Sequence, residues 1–174
     1  MKGVCLRFFP QGGGALVYGE AGTELGPMAA GLALTGLAFL SFLPEARARA
    51  EKLLPGAIFR QDDAAVSGAI ARAVDVWAGR AADGDPLPLS LHGTDFQWRV
   101  WCAMLAIQKG RTCTYGDLAS VAGGSPIAVG QAVGSNPLAL LVPCHRVLHK
   151  DPNTDAWAWG TERKRDLLHR EEVL

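Results

Sequence analysis

The stretch Tyr115-Gly116-Asp117-Leu118-Ala119-Ser120-Val121-Ala122-Gly123-Gly124-Ser125-Pro126-Ile127-Ala128-Val129-Gly130-Gln131-Ala132-Val133-Gly134 sets the character of the second half of the chain. Residues 115–121 carry apolar side chains at helical spacing and end at a glycine pair, where a regular helix is costly. Residues 126–134 start again with Pro126, whose fixed φ and missing N–H suit a first helical turn. Two short helices joined by a glycine turn are compatible with a helix-turn-helix. The pattern is common, and alone it does not establish contact with DNA.

Downstream, Leu138-Ala139-Leu140-Leu141-Val142-Pro143-Cys144-His145-Arg146-Val147 runs from aliphatic residues into a proline, a cysteine and a histidine. The apolar run predicts a buried strand or extended segment. Pro143 ends it, because a ring without an N–H continues neither a ladder nor a helix, so Cys144 is expected at the rim of a core. Residues 161–174 predict an amphipathic terminal helix with Leu167, Leu168 and Val173 inward. Upstream, Thr94 suits an N-cap for a helix over 95–107 with Phe96, Val100, Ala103 and Ile107 on one face. Residues 81–89, rich in Asp, Gly and Pro, read as the linker.

Before that linker the chain alternates. Residues 4–9 and 15–19 read as strands about the turn Gly12-Gly13-Gly14, and 28–34 with 37–42 as a hairpin through Thr35-Gly36. Helices are expected over 44–54 and over 66–80, the second with Val66, Ile70, Ala73, Val74 and Trp77 on one face. These elements predict an α+β protein. A small N-terminal α/β domain of antiparallel strands plus helix spans 1–86. A mostly helical, winged-helix-like C-terminal domain with a helix-turn-helix spans 87–174.

The 174 residues can bury a core without staples, and the formal net charge is zero. The parts before and after Gly93 carry −1 and +1, too small an asymmetry to argue for a polyanionic partner. Cys5, Cys102, Cys113 and Cys144 are scattered, without metal-type spacing or a disulfide framework. Cys102 and Cys113 are expected as structural filler. The apolar stretch 27–43 is interrupted by Gly31, Thr35 and Gly36 and is too short for a membrane span. No signal peptide is recognised, and a soluble, reducing, cytoplasmic setting is expected.

Cys144 has two readings. Cysteine is among the most buried residue types, and a Cys-His dipeptide is often structural. As a nucleophile it needs a base, and His145 is adjacent; Glu171 or Glu172 on the terminal helix would orient the imidazole. A cysteine hydrolase would use the same pair, but no second oxyanion-type motif accompanies it.

Pro143-Cys144-His145-Arg146-Val147 resembles the signature of the methylated-DNA–protein-cysteine methyltransferases, the alkylguanine-DNA alkyltransferases. The resemblance is ordered along nearly the whole chain. It includes Gly93-Thr94-Asp95-Phe96-Gln97, Val100-Trp101, Gly110-Arg111-Thr112 and Tyr115-Gly116-Asp117-Leu118-Ala119. It continues through Asn136-Pro137, Trp159-Gly160 and the run 164–168.

The resemblance implies irreversible transfer of a methyl or alkyl group from 6-O-alkylguanine in DNA to Cys144, once per molecule and without a cofactor. 4-O-alkylthymine is a further candidate substrate. His145 would be the base through a water, with Glu171 orienting it. Asn136 would tie the helix-turn-helix to the cysteine loop. Tyr115 would sit near the target phosphate and help rotate the nucleotide, or merely pack the domain. Arg146 and Ala158 join the DNA- and substrate-binding set. The partner expected is DNA containing alkylated guanine, the protein a monomer without membrane contact.

Three features depart from the family pattern. The arginine that replaces the extruded base in the family aligns with Ile127, or with Gln131 under a shifted alignment; an isoleucine can still act as an apolar wedge. The connection from Tyr115 to that helix is shorter than usual. The loop usually rich in glycine reads Pro152-Asn153-Thr154-Asp155-Ala156-Trp157, so Trp157 replaces a tyrosine and could stack on the base, while Asp155 adds a charge. The alternative these departures favour is a non-catalytic or altered-specificity lesion binder.

Overall fold

The alternating segments form strands where the apolar period places them: β1 is Val4–Phe9, β2 Ala15–Ala21, β3 Met28–Ala33 and β4 Gly36–Phe42. The computed structural model describes residues 3–10, 12, 14–82, 84–151 and 157–173. Gly13, the 152–156 segment with Asp155, and Leu174 lie outside the described residues. The chain divides into two units, Met1–Thr94 with Pro137–Leu141 and Asp95–Asn136 with Val142–Leu174.

The first unit is built on a six-stranded sheet in the order β1-β6-β4-β3-β2-β5, where β5 is Ile58–Gln61 and β6 is Leu87–His92. Only β4-β3-β2 is antiparallel; β1 and β4 pair parallel to β6, and β5 parallel to β2. The expected antiparallel sheet is therefore mixed. The stretch 27–43 forms the β3–β4 hairpin, and among the described residues no helix is long and apolar enough to cross a membrane. Residues 87–89, expected in a linker, begin β6. A boundary after residue 86 would detach β6 from its sheet; the units part instead at Thr94.

Helix α1 is Ala46–Leu53, entered through Glu45 in the left-handed conformation (φ 67°), so it starts later than its composition suggests. Helix α2, Asp63–Ala78, is capped by Asp62, whose carboxylate accepts from the Ala65 N–H at 3.0 Å. Its buried face contains the five residues expected from helical spacing. Gly19 lets α2 approach β2, since a Cβ there would lie 2.6 Å from Val66 Cγ2. Met28, Phe39, Leu40 and Phe42 are fully buried; each side chain so placed contributes about 1.5–3 kcal/mol.

In the second unit, α3 (Asp95–Leu105) buries Val100, Trp101 and Met104. The expected face is rotated: Phe96, Ala103 and Ile107 are only partly buried. Trp101 fills the core and donates its indole N–H to the Ala132 carbonyl at 2.9 Å, which joins α3 to the last helix of the helix-turn-helix. That motif comprises α4 (Tyr115–Ala122) and α5 (Pro126–Gly134). Thr114 and Asp117 form a capping box on α4, and Ser125 caps α5. Between them Gly124 has φ 91°, and a Cβ there would meet the Phe96 ring at 3.0 Å. Strands β7 (Cys113–Thr114) and β8 (Val147–Leu148) form a small parallel pair, and α6 is Thr161–Arg170. The α+β class holds.

The run preceding Cys144 is not a strand. Leu138–Val142 are buried as expected, but they form turns with one bridge, Leu40 to Leu138, and Leu140 adopts φ 67°. Left-handed backbone at a leucine has no local sequence signal, because the intrinsic preference opposes it.

Candidate active site

Cys144 opens a single 3-10 turn, Cys144–Arg146, just after Pro143. Two polar contacts shape the approach. Asn136, fully buried, donates Nδ2–H to the Val142 carbonyl at 2.8 Å, and that carbonyl also accepts from the Cys144 N–H at 2.8 Å. The expected link between the end of α5 and the cysteine loop is therefore a direct hydrogen bond. Cys144 itself is 2% exposed, deeper than a rim position.

His145 is fully buried, with Nε2 2.9 Å from Glu171 Oε1. Burial raises a carboxyl, but hydrogen bonds from His145 and Arg146 outweigh it, and Glu171 is brought down to about 2. An ionised carboxylate only accepts, so Nε2 must carry the proton and donate. Burial is the largest influence on His145 and lowers it, with the Arg146 and Lys164 charges adding to this and Glu171 opposing. The ring is thus neutral near pH 7, and its Nδ1 carries a lone pair. Nδ1 is buried and finds no hydrogen-bond partner among the described residues. A neutral imidazole in this tautomer is a base at Nδ1.

Glu171 sits at the C-terminal end of α6, where the helix dipole disfavours a carboxylate. Arg146 compensates. Its Nε donates to Oε2 at 2.7 Å and its Nη2 to Oε1 at 2.9 Å, while Nη1 donates to the Ile107 carbonyl at 2.7 Å. Arg146 is 3% exposed. Its expected place in the DNA-binding set is corrected: the guanidinium faces inward and clamps the residue that orients His145. Leu167 and Leu168 anchor α6, and buried Lys164 donates to the Val147 carbonyl at 2.8 Å, immediately after the turn.

The remaining expected residues separate into two groups. Trp157 is half-buried with its indole Nε1 3.4 Å from Cys144 Sγ. Its ring is edge-on to His145 (centroids 6.4 Å) and to Trp159 (4.7 Å). Ile127, 78% exposed, and Gln131 lie one turn apart on the open side of α5, and Ala158 is exposed. Tyr115 is half-buried at the start of α4, its ring 4.7 Å from that of His149. Cys102, expected like Cys113 as structural filler, is on the exposed side of α3, and Cys113 is half-buried in β7. Desolvation pushes both thiols up, so neither is activated.

Sequence reasoning missed the clamp by Arg146, the buried ammonium of Lys164 and the indole contact with sulfur. Lys164 had a signal: it shares the helical face of Leu167, Leu168 and Glu171, and a charge within an apolar stripe must find a buried partner. Arg146 and Trp157 had none, since their partners lie 25 and 13 residues away.

Residues 95–173 match the family model of the 6-O-methylguanine DNA methyltransferase DNA-binding domain. The methylated-DNA–protein-cysteine methyltransferase of Mycobacterium tuberculosis is 43% identical over 113 residues, covering 64% of this chain and 68% of the relative. The chain belongs to the methylated-DNA–protein-cysteine methyltransferase family. The Salmonella typhimurium member is 42% identical over 102 residues, covering 58% of this chain and 60% of its own. The crystal structure of Mycobacterium tuberculosis OGT in complex with DNA aligns with TM-score 0.72 and 36% identity, over 90% of this chain and 92% of the other. The resemblance drawn from the ordered motifs therefore holds for family and fold.

Proposed function

We propose that this family member repairs DNA by accepting the alkyl group of 6-O-alkylguanine on Cys144, once per molecule. The observation that carries the reading is the buried Glu171–His145 hydrogen bond, which leaves Nδ1 as a base one residue from a buried thiol. The Cys144 proton passes to Nδ1 through a water. Sγ then attacks the alkyl carbon, an S–C bond forms, and the C–O bond breaks with its electron pair moving to the guanine. Protonated His145, held by Glu171, returns the proton to the leaving base. The product is a thioether, which water does not cleave, so the protein is consumed.

The alkyl carbon is out of reach inside a duplex, and the nucleotide must be extruded. α5 presents Ile127 and Gln131 toward solvent, and one of the two would fill the gap, Ile127 as an apolar wedge. Tyr115, at the start of α4, would meet the backbone of the rotated nucleotide.

Intact-protein mass after incubation with a methylguanine oligonucleotide tests the proposal. A stable gain of one methyl group, mapped to Cys144 and absent from Cys144→Ala, is expected. Binding without a gain would replace transfer with lesion recognition, and repeated turnover of an ester or amide would make the site a hydrolase.

A further inference from the structure

The indole N–H of Trp157 points at the sulfur that is to react, 3.4 Å from Nε1 to Sγ. A neutral thiol is a weak acceptor, whereas a thiolate carries a full charge and makes charge-assisted hydrogen bonds. An indole nitrogen only donates. It therefore cannot take the thiol proton, and its contact favours the ionised sulfur over the neutral one. The tyrosine that the family resemblance places here has a hydroxyl that both donates and accepts, so the exchange to tryptophan removes an ambiguity. The indole is held by edge contacts with Trp159 at 4.7 Å and with His145 at 6.4 Å.

We propose that Trp157 is a positioning residue for the transfer: its N–H selects the thiolate of Cys144 and directs a sulfur lone pair. During the step Nε1 keeps its proton. Sulfur gives its pair to the alkyl carbon, the C–O pair leaves with guanine, and the indole is left facing a neutral thioether, a poor acceptor. The donor thus favours the thiolate and weakens its grip on the product. Other charged and titratable groups border this turn: His145 and Arg146 on it, and Lys164 and Glu171 from α6. They are common to the wild-type protein and to Trp157 variants, so a difference between the two reports the indole.

The proposal rests on Cys144 as the acceptor, but its first test needs no DNA. In the full chain, the indole N–H resonance of Trp157 is followed by NMR between roughly pH 5 and 10, across the range of thiol ionisation. It should shift with the Cys144 titration and lose that shift in Cys144→Ala. A resonance that ignores Cys144 overturns the proposal, whatever the outcome for alkyl transfer. The second test is the single-turnover rate on a methylguanine oligonucleotide against pH. Trp157→Phe should move the rising limb up by about one pH unit, a roughly tenfold loss below it that vanishes above it, and Trp157→Tyr should recover most of the loss. A pH-independent loss in Trp157→Phe would reduce Trp157 to packing and refute the assignment.

Discussion

The buried cluster behind Cys144 and the open face of α5 obey opposite rules. In the cluster, His145, Arg146, Lys164 and Glu171 are each at most 3% exposed. Arg146 alone makes three hydrogen bonds, two of them to Glu171. On α5, Ile127 and Gln131 face solvent, and the helix from Pro126 to Gly134 contains no charged residue. Inside, Arg146, Glu171, Lys164 and the Nε2 of His145 are tied to partners, with Nδ1 of His145 left over, and a change leaves a charge or a carbonyl unsatisfied. Outside, a side chain can change at little cost to folding. The departures that the resemblance implies at Ile127 or Gln131 fall on the outer face and the one at Trp157 lies beside Cys144, whereas His145 and Glu171 are buried and hydrogen-bonded to each other.

The sharpest way to break this contrast is Glu171→Ala. It strands the Arg146 guanidinium in the interior and should cost about 3–5 kcal/mol in urea unfolding; a cost no larger than that of a surface change would show that the cluster is not the rigid part. Acid provides a second probe of the same group. His145 and Glu171 both have lowered values in the native state, so the unfolded chain binds more protons and stability falls on acidification. The loss should begin as pH drops below the ordinary histidine value of 6.5. It should continue from the ordinary glutamate value of 4.5 toward about 2, and Glu171→Gln should remove that lower limb from the urea midpoints.

Asn136→Ala has a smaller expected effect. It removes one of two donors to the Val142 carbonyl and should cost roughly 1–3 kcal/mol, with transfer slowed because the cysteine turn loosens. Equal rates in both proteins would remove Asn136 from the positioning of Cys144. Least disturbing to the fold is Ile127→Arg, which should change stability by no more than about 0.5 kcal/mol. It should tighten duplex binding and steepen its dependence on salt by about one unit of slope. An unchanged slope would mean that position 127 does not meet the phosphates, and would favour Gln131 as the wedge position.

Local patterns announced some elements and hid others for identifiable reasons. α5 and the apolar face of α2 were legible because helical spacing and an N-terminal proline act within one segment. β6 was not: Leu87-Pro88-Leu89 follows a stretch of Asp, Gly and Pro, and it becomes a strand only by pairing parallel to β1 and β4. Gly36 shows the same dependence, since a Cβ there would collide with the Pro88 carbonyl. α3 was foreseen as an element but not in its orientation, because Trp101 turns inward to reach the Ala132 carbonyl.

By itself the sequence determined the helix-turn-helix and the hairpin β3–β4, and singled out Cys144, His145 and Glu171 as candidates, because these readings depend on residue type, short-range spacing and ordered motifs. Only the tertiary structure decided that Arg146 serves Glu171 rather than the outer surface, that Lys164 donates to the Val147 carbonyl, that Leu138–Val142 form turns rather than a strand, and that an indole N–H meets the sulfur. Each of these depends on desolvation and on partners distant in the chain, which nearest-neighbour preferences do not encode.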